Sequence, residues 1–484
     1  MAEKDRKSKK RKLLAVVVQQ NSKHDHADTD ADAIADVEAQ IQSEATAGHR
    51  KSLPKRSQRG NMDTSQHEAE NELAQAKRPG LKNSKAPAEQ SSNTIDLESQ
   101  SELNTSKPSA VFKPTKGRSW TLSIALPGSI INNTKSFPEK TYLAGRIARA
   151  AAVFAVDEVI IFDDAPTEIP SYLKPKVPRR DITQKSKAEL LRDVAPEDEP
   201  WQNPDQFLYH LLSFLETPPN LRETLFRVHP NLAKAGQLPS MDMPHHMRSH
   251  EWRQYREGIT IASPEPEKRK NKKLNPMEDE AECTFVDAGL AYPVKIPHSI
   301  PEETRVTLKF ANPDAPPSWP TLSRADVDSL DVQAMSPAAP REEAGYYWGY
   351  LTRRAESLSV VYQDCPFEAG YDLTIGTSER GAELSSILPG PVTSKSKDKT
   401  AKAGKLPDRF NHLLLVFGGV GGLEPAIVGD PQLKEHLTKD TAGEAFDMWV
   451  NLVPNQGSRT IRTEEAVWLG LMGIWDYVQE HGMR

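Results

Sequence analysis

Apolar positions along this chain follow two regimes that meet near residue 118. Upstream they are scattered without a sustained period; downstream, short aliphatic runs alternate with stretches in which apolar residues recur every three or four positions. Thr121–Leu126 reads as a strand stopped by Pro127-Gly128. Ser136-Phe137-Pro138-Glu139 has the spacing of a capping box with proline in the first turn. Leu143, Ile147, Ala150 and Phe154 then repeat at helical spacing, predicting a helix from about Pro138 to Ala155. Glu158–Phe162 is a second strand and closes a β-α-β unit. A bulky amphipathic helix is expected over Pro204–Leu215. Between about Gly236 and Gly349 the pattern shortens to β-rich pieces, Gly258–Ala262, Cys283–Val286, Val294–Ile296, Val306–Phe310 and Tyr346–Leu351, as in a small barrel or sandwich. Three further strands, Tyr371–Gly376, His412–Phe417 and Met448–Pro454, precede an apolar helix over Ala466–Val478. Trp468, Leu469, Leu471, Met472, Ile474, Trp475 and Val478 leave little of that helix polar, which predicts burial on more than one side.

The last three strands each run into a segment of small or polar residues. Tyr371–Gly376 leads to Thr377-Ser378-Glu379-Arg380-Gly381, His412–Phe417 to Gly418-Gly419-Val420-Gly421-Gly422-Leu423-Glu424-Pro425, and Met448–Pro454 to Asn455–Glu465. His412–Phe417 is continuously apolar, as expected of a strand covered on both faces, and open parallel sheets bind ligands beyond the carboxyl ends of their strands. The glycine loop is neither a P-loop, lacking Gly-Lys-Ser/Thr, nor a dinucleotide fingerprint, because Glu424 stands where the third glycine would be. Four glycines in five positions still require close approach of backbone to backbone or to ligand. Arg459 and Arg462 beside the third loop suit an anionic substrate, although a strand-turn-helix is also ordinary α/β scaffolding.

Composition sets outer bounds. The 484 residues are 37% hydrophobic and 27% charged with a net charge of −6, enough for roughly two or three domains, and they place any nucleic-acid binding in local patches. Cys283 and Cys365 alone exclude a disulfide framework and a cysteine zinc site, and fit a reducing compartment. No apolar run reaches membrane-spanning length, so no membrane association is expected, and Leu13–Val18 is too short for a signal-peptide core. Residues 1–117 read as a disordered tail whose Lys4–Lys12 cluster is a nuclear-localisation signal, an RNA-binding arm or merely a solvated charged end. Lys174–Arg180 and Ser394–Lys402 are further basic tracts. Asp242, His245 and His246 lack a clear third ligand, so no metal site is expected. Arg146 and Arg149 flank the first helical stripe, where RNA contact and simple solvation both remain open.

Taken together, Thr121–Ser129, Leu373–Gly381, Val416–Gly419 and Gln456–Glu465 resemble the eukaryotic and archaeal RNA methyltransferase branch of the SPOUT superfamily, over roughly residues 118–484. The resemblance implies an α/β fold with a trefoil knot, S-adenosyl-L-methionine bound in a bent shape, a homodimer with its active site at the subunit interface, and an inserted OB-like β-barrel. The implied organisation is a tail (1–117), the first part of the methyltransferase domain (118–235), the insertion (236–349) and the knotted second part (350–484). By the same resemblance, Thr377, Phe417, Gly418, Gly419, Gly421, Gly422, Leu452, Pro454, Gln456, Gly457, Ser458, Thr460 and Ile461 would enclose the cofactor. Methyl transfer to a ring nitrogen needs alignment, removal of a proton and stabilisation of the developing anion. Arg459 and Arg462 are candidates for the last task; Glu379, and with less warrant Glu464, are candidate bases, while Glu464 also suits the helix N-terminus electrostatically. The expected function is methylation of a base in structured RNA, ribosomal RNA first and uridine N3 within it, in the nucleus or more narrowly the nucleolus. A catalytically idle RNA- or chromosome/spindle-associated binding protein of the same fold is the alternative, and a protein methyltransferase the third reading.

Overall fold

The computed structural model describes residues 114, 116–174, 185–192, 203–248, 250–263, 283–389 and 405–482. The tail up to residue 113 and the tracts Lys4–Lys12, Pro175–Arg180 and Ser394–Lys402 lie outside the described residues. Six strands form a parallel sheet: β1 (Thr121–Pro127), β2 (Glu158–Phe162), β8 (Leu351–Ala355), β9 (Leu373–Glu383), β10 (His412–Val416) and β11 (Met448–Asn451), in the order β11-β9-β10-β1-β2-β8. The helices used below are α1 (Phe137–Val153), α2 (Pro204–Glu216), α3 (Leu358–Gln363), α4 (Glu424–Gly429) and α5 (Thr463–His481).

The unbroken apolar character of the central strands follows from burial on both faces. Leu122, Ile124 and Leu126 of β1, Val159 and Ile161 of β2, and Leu413 and Leu415 of β10 enter one core with α1, α2 and α5. The intervening Ala125, Ile160, Phe162, Leu414 and Val416 enter a second core with α3 and α4. Period-two alternation thus sends neighbouring residues to opposite helical layers, and both faces favour apolar positions. α1 starts as its sequence predicts. Ser136 Oγ accepts from Glu139 N, Glu139 returns the bond to Ser136 N–H, and Pro138 occupies the first turn.

The second sheet is antiparallel, ordered β5-β4-β3-β6-β7, from β3 (Tyr255–Ile261), β4 (Thr284–Asp287), β5 (Val294–Ile296), β6 (Arg305–Phe310) and β7 (Val332–Met335). Its edge strands β5 and β7 approach each other, so the sheet curls toward a barrel around Val286, Ile296, Leu308, Phe310 and Val332. One expectation fails here. Tyr346–Leu351 is not a strand of this sheet; the strand begins at Leu351 and joins the parallel sheet beside β2. The aromatics before it serve as separate anchors: Tyr347 Oη donates to Ala151 O, Trp348 Nε1 to Glu257 Oε1 and Tyr350 Oη to Leu212 O. Gly349, at φ +88°, turns the chain between them.

A buried charge network joins α2, which packs on the parallel sheet, to the antiparallel sheet. Glu216, at the end of α2, takes Arg305 Nη1 of β6 at 2.6 Å and faces His245 Nε2 at 2.9 Å, while Arg305 Nε also donates to Glu257 at 2.6 Å. Burial alone would raise the Glu216 pKa, but Arg305 and His245 outweigh it and hold the carboxyl down to about 2. His246 is pushed down to about 3, chiefly by burial. The Asp242-His245-His246 constellation is therefore split: both histidines serve this joint, and Asp242 faces Arg248 at 3.9 Å. Arg149 likewise hydrogen-bonds Met241 O at 2.7 Å. Among the described residues no helix is long and apolar enough to cross a membrane.

Candidate functional site

The carboxyl ends of β9, β10 and β11 lie side by side in the sheet, which brings their three following segments together. The first differs from its expected form. Thr377–Gly381 is not a loop after a finished strand: Gly376 pairs with Trp449 and the next pair is Ala382 with Val450, so residues 377–381 arch out between two neighbouring positions of β11. β9 resumes pairing because Ala382 and Glu383 find backbone partners in Val450 and Asn451, a tertiary match that local sequence does not encode. Thr377 Oγ1 donates to Val416 O at 3.1 Å, and Asn451 Nδ2 holds Glu379 O at 3.0 Å.

In the glycine segment the steric demand falls on its two ends. A Cβ on Gly418 would lie 2.4 Å from the carbonyl carbon of Gly422, and Gly422 itself has φ +78°. Gly419 has no neighbour closer than 3.5 Å to such an atom. The loop is closed by Gly422 N–H on Gly419 O at 3.0 Å and pinned to α5 by Thr463 Oγ1, which donates to Gly418 O at 2.8 Å. The third segment leaves β11 through Asn455 in the left-handed region, at φ 58°. It ends where Arg462 precedes α5, its N–H donating to Glu465 Oε2 at 3.0 Å.

These segments enclose a cleft of about 460 Å³. Thr377, Glu379, Gly418, Gly419, Gly421, Gly422, Leu452, Gln456, Arg459, Thr460 and Ile461 line it. Arg459 is exposed and, among the described residues, has no hydrogen bond or ion pair, so its guanidinium can turn to a ligand. Pro454, Gly457 and Ser458 share the third segment but lie off the lining. Phe417 sends its ring into the core, fully buried against Gly470, and Arg462 caps α5. Glu464 is buried in the first turn of α5, away from the lining.

The site also contains residues that sequence reasoning passed over: Ser378, Arg380, Glu424, Lys439, Asn451 and Thr463. Glu424 is the most telling. It begins α4 one residue beyond the glycines, after Leu423, and is 9% exposed. Ser378 Oγ donates to its Oε1 at 3.4 Å and Arg380 Nη1 lies 3.8 Å away. Its position two residues after Gly422 is the signal that the sequence offers for it. Arg380, Glu424 and Lys439 also border a smaller recess of about 310 Å³ that reaches Trp449. The whole is a cleft walled by backbone and small side chains, with exposed cations at its rim and one buried carboxylate. Such a site suits a compact polar ligand with both apolar and hydroxyl-bearing parts.

Comparison with known proteins agrees with this arrangement. Residues 121–474 match the family described as "Putative RNA methyltransferase". Over 388 residues the chain is 36% identical to the "28S rRNA (uridine-N(3))-methyltransferase" of Homo sapiens, covering 80% of this chain and 86% of the human protein. A Drosophila melanogaster protein of the same name is 35% identical over 384 residues, covering 79% of this chain and 67% of its own. The "Putative methyltransferase spot-1" of Caenorhabditis elegans is 28% identical over 371 residues, covering 76% and 83%. With a match that spans both sheets and every loop of the cleft, the chain belongs to this RNA methyltransferase family.

Proposed function

We propose that this protein methylates N3 of a uridine in the RNA of the large ribosomal subunit, with S-adenosyl-L-methionine as methyl donor. The observation that carries the proposal is the convergence of three strand-end segments on one cleft, in a chain 36% identical over 388 residues to a protein named for that reaction. The residues present fit such a cofactor: Gly418, Gly419, Gly421 and Gly422 line the cleft with bare backbone, and Glu424 is a buried carboxylate that, among the described residues, has acceptor positions unused. When bound, S-adenosylmethionine supplies an electrophilic methyl group on a sulfonium.

The protein's part is alignment and charge. Leu452, Ile461 and Thr377 would flank the cofactor, with backbone of the glycine segment beneath it. The N3 proton of uracil must leave before or during attack, placing negative charge on the imide, and Arg459, which lines the cleft, would hold that charge. Glu379 lines the same cleft, exposed, as the acceptor of the proton.

The same reading includes a SPOUT trefoil knot in the parallel-sheet domain (118–235 and 350–484), an OB-like insertion (236–349), and residence in the nucleus and its nucleolus. It includes a homodimer packed through α5, where Trp468, Leu469 and Met472 are 36%, 43% and 64% exposed in the single chain. Supporting the dimer is the physical cost of leaving such a helix face in water. The test is to incubate the protein and labelled S-adenosylmethionine with RNA from cells lacking it, then map 3-methyluridine along the ribosomal RNA. A single modified uridine in the large-subunit RNA is expected. Tight cofactor binding without methylation of any RNA would favour a catalytically idle binding protein instead.

A further inference from the structure

We infer that Glu424 is the ribose clamp of the candidate cofactor site, accepting hydrogen bonds from the two vicinal hydroxyls of the adenosine moiety; this rests on the cofactor reading above. A carboxylate offers about four acceptor positions on two oxygens, and burying it is costly unless donors fill them. Glu424 is 9% exposed, yet among the described residues its partners are few and long: one hydroxyl at 3.4 Å, and one guanidinium at 3.8 Å from a side chain that is itself 62% exposed. Water screens such a pair, so it compensates only part of the burial. The carboxylate also lies against the glycine backbone: a Cβ on Gly422 would be 2.3 Å from Oε2, so only glycine lets it occupy this place. Glu424 lines the cleft at the junction with the smaller recess.

The missing donors define the ligand chemistry. Arg380 and Lys439 border the same recess as Glu424, and a carboxylate accepts hydrogen bonds and donates none. A pair of adjacent hydroxyls presents two donors at the separation of two carboxylate oxygens, whereas a pyrimidine imide presents one. Dinucleotide sites solve the same problem with an acidic residue on ribose hydroxyls. Here the acid sits on the helix that directly follows the glycine segment, where the cofactor's ribose would pass the loop.

Calorimetric titration tests this with S-adenosylhomocysteine and its 2′-deoxyribose and 3′-deoxyribose counterparts, against the wild type, Glu424→Gln and Glu424→Ala. For the wild type, removal of either hydroxyl should weaken binding about tenfold or more, the range of a hydrogen bond to a charged group. Glu424→Ala should bind the parent compound correspondingly weakly and no longer distinguish the deoxy compounds. Glu424→Gln, which keeps the shape and one acceptor, should fall between, so the result does not hang on one variant folding. Wild-type affinity indifferent to the hydroxyls, or an alanine variant that discriminates as the wild type does, would overturn the assignment. Retained discrimination together with lost methyl transfer would likewise overturn it and move Glu424 to the acceptor base. Absence of any S-adenosylhomocysteine binding by folded wild type would instead remove the cofactor reading itself.

Discussion

Replacing Gly418 by alanine should damage the site far more than the same change one residue later. The added Cβ would stand 2.4 Å from the carbonyl carbon of Gly422, with Gly422 O and Leu423 N both at 2.7 Å. All three are backbone atoms, so no side chain can swing aside. Ordinary carbon contacts need 3.5–4.0 Å, so the loop must open by about 1 Å. Opening it pulls on Gly418 O, which holds Thr463 in the first turn of α5 at 2.8 Å, and the strain thus reaches two of the three segments of the cleft. Overpacking of this kind costs about 1–3 kcal/mol, a fall in Tm of roughly 1–6 °C for a body of this size. At Gly419 the nearest atom to a new Cβ is Ser129 Oγ at 3.5 Å, and φ there is not positive, so alanine should change stability by less than about 0.5 kcal/mol. Thermal unfolding and titration with S-adenosylhomocysteine read both effects. Gly418→Ala is expected to melt earlier and to bind at least about tenfold more weakly, with Gly419→Ala close to wild type. Equal behaviour of the two variants would refute the claim that closure of the loop on itself, and not glycine content as such, shapes the cleft.

Three further outcomes follow from the structure. Arg459→Ala should lower single-turnover methyl transfer by about 10²–10³ with little change in cofactor affinity, and Arg459→Lys should rescue only partly because lysine lacks the planar fork; near-normal transfer would remove Arg459 from catalysis. Glu216 has a folded pKa of about 2, below its ordinary value of 4.5, so it stabilises the fold above pH 4.5 and that contribution is lost as pH falls toward 2. Denaturant unfolding across that window should lose about 3 kcal/mol in the wild type, and a slope unchanged in Glu216→Gln would contradict the assignment. Met472→Glu, at an exposed apolar position of α5, should convert the proposed dimer to a monomer by light scattering while the helix content stays constant; a wild type already monomeric at high micromolar concentration would exclude the dimer.

Much of the parallel-sheet part was legible before any coordinates, because there each local signal agreed with the tertiary demand. Ile124–Leu126, Val159–Phe162 and Leu413–Val416 are apolar on successive positions since helices cover both faces, and the capping box at Ser136 marks the true start of α1. Strand ends, glycines and the polar run around Arg459 were likewise sufficient to locate the cleft. What local sequence could not carry was pairing between distant segments. The arch at Thr377–Gly381 exists because β11 resumes its register at Val450, and Leu351–Ala355 is a strand because β2 offers an open edge. The same holds for chemistry. Glu424 matters through burial beside Arg380, the histidine pair is drawn into the Glu216–Arg305 joint, and Phe417 is a core residue because Gly470 of α5 makes room for its ring. Periodicity and turn chemistry act over a few residues and are written in the chain; burial of a charge and closure of a loop on its own backbone arise only when segments far apart in sequence meet.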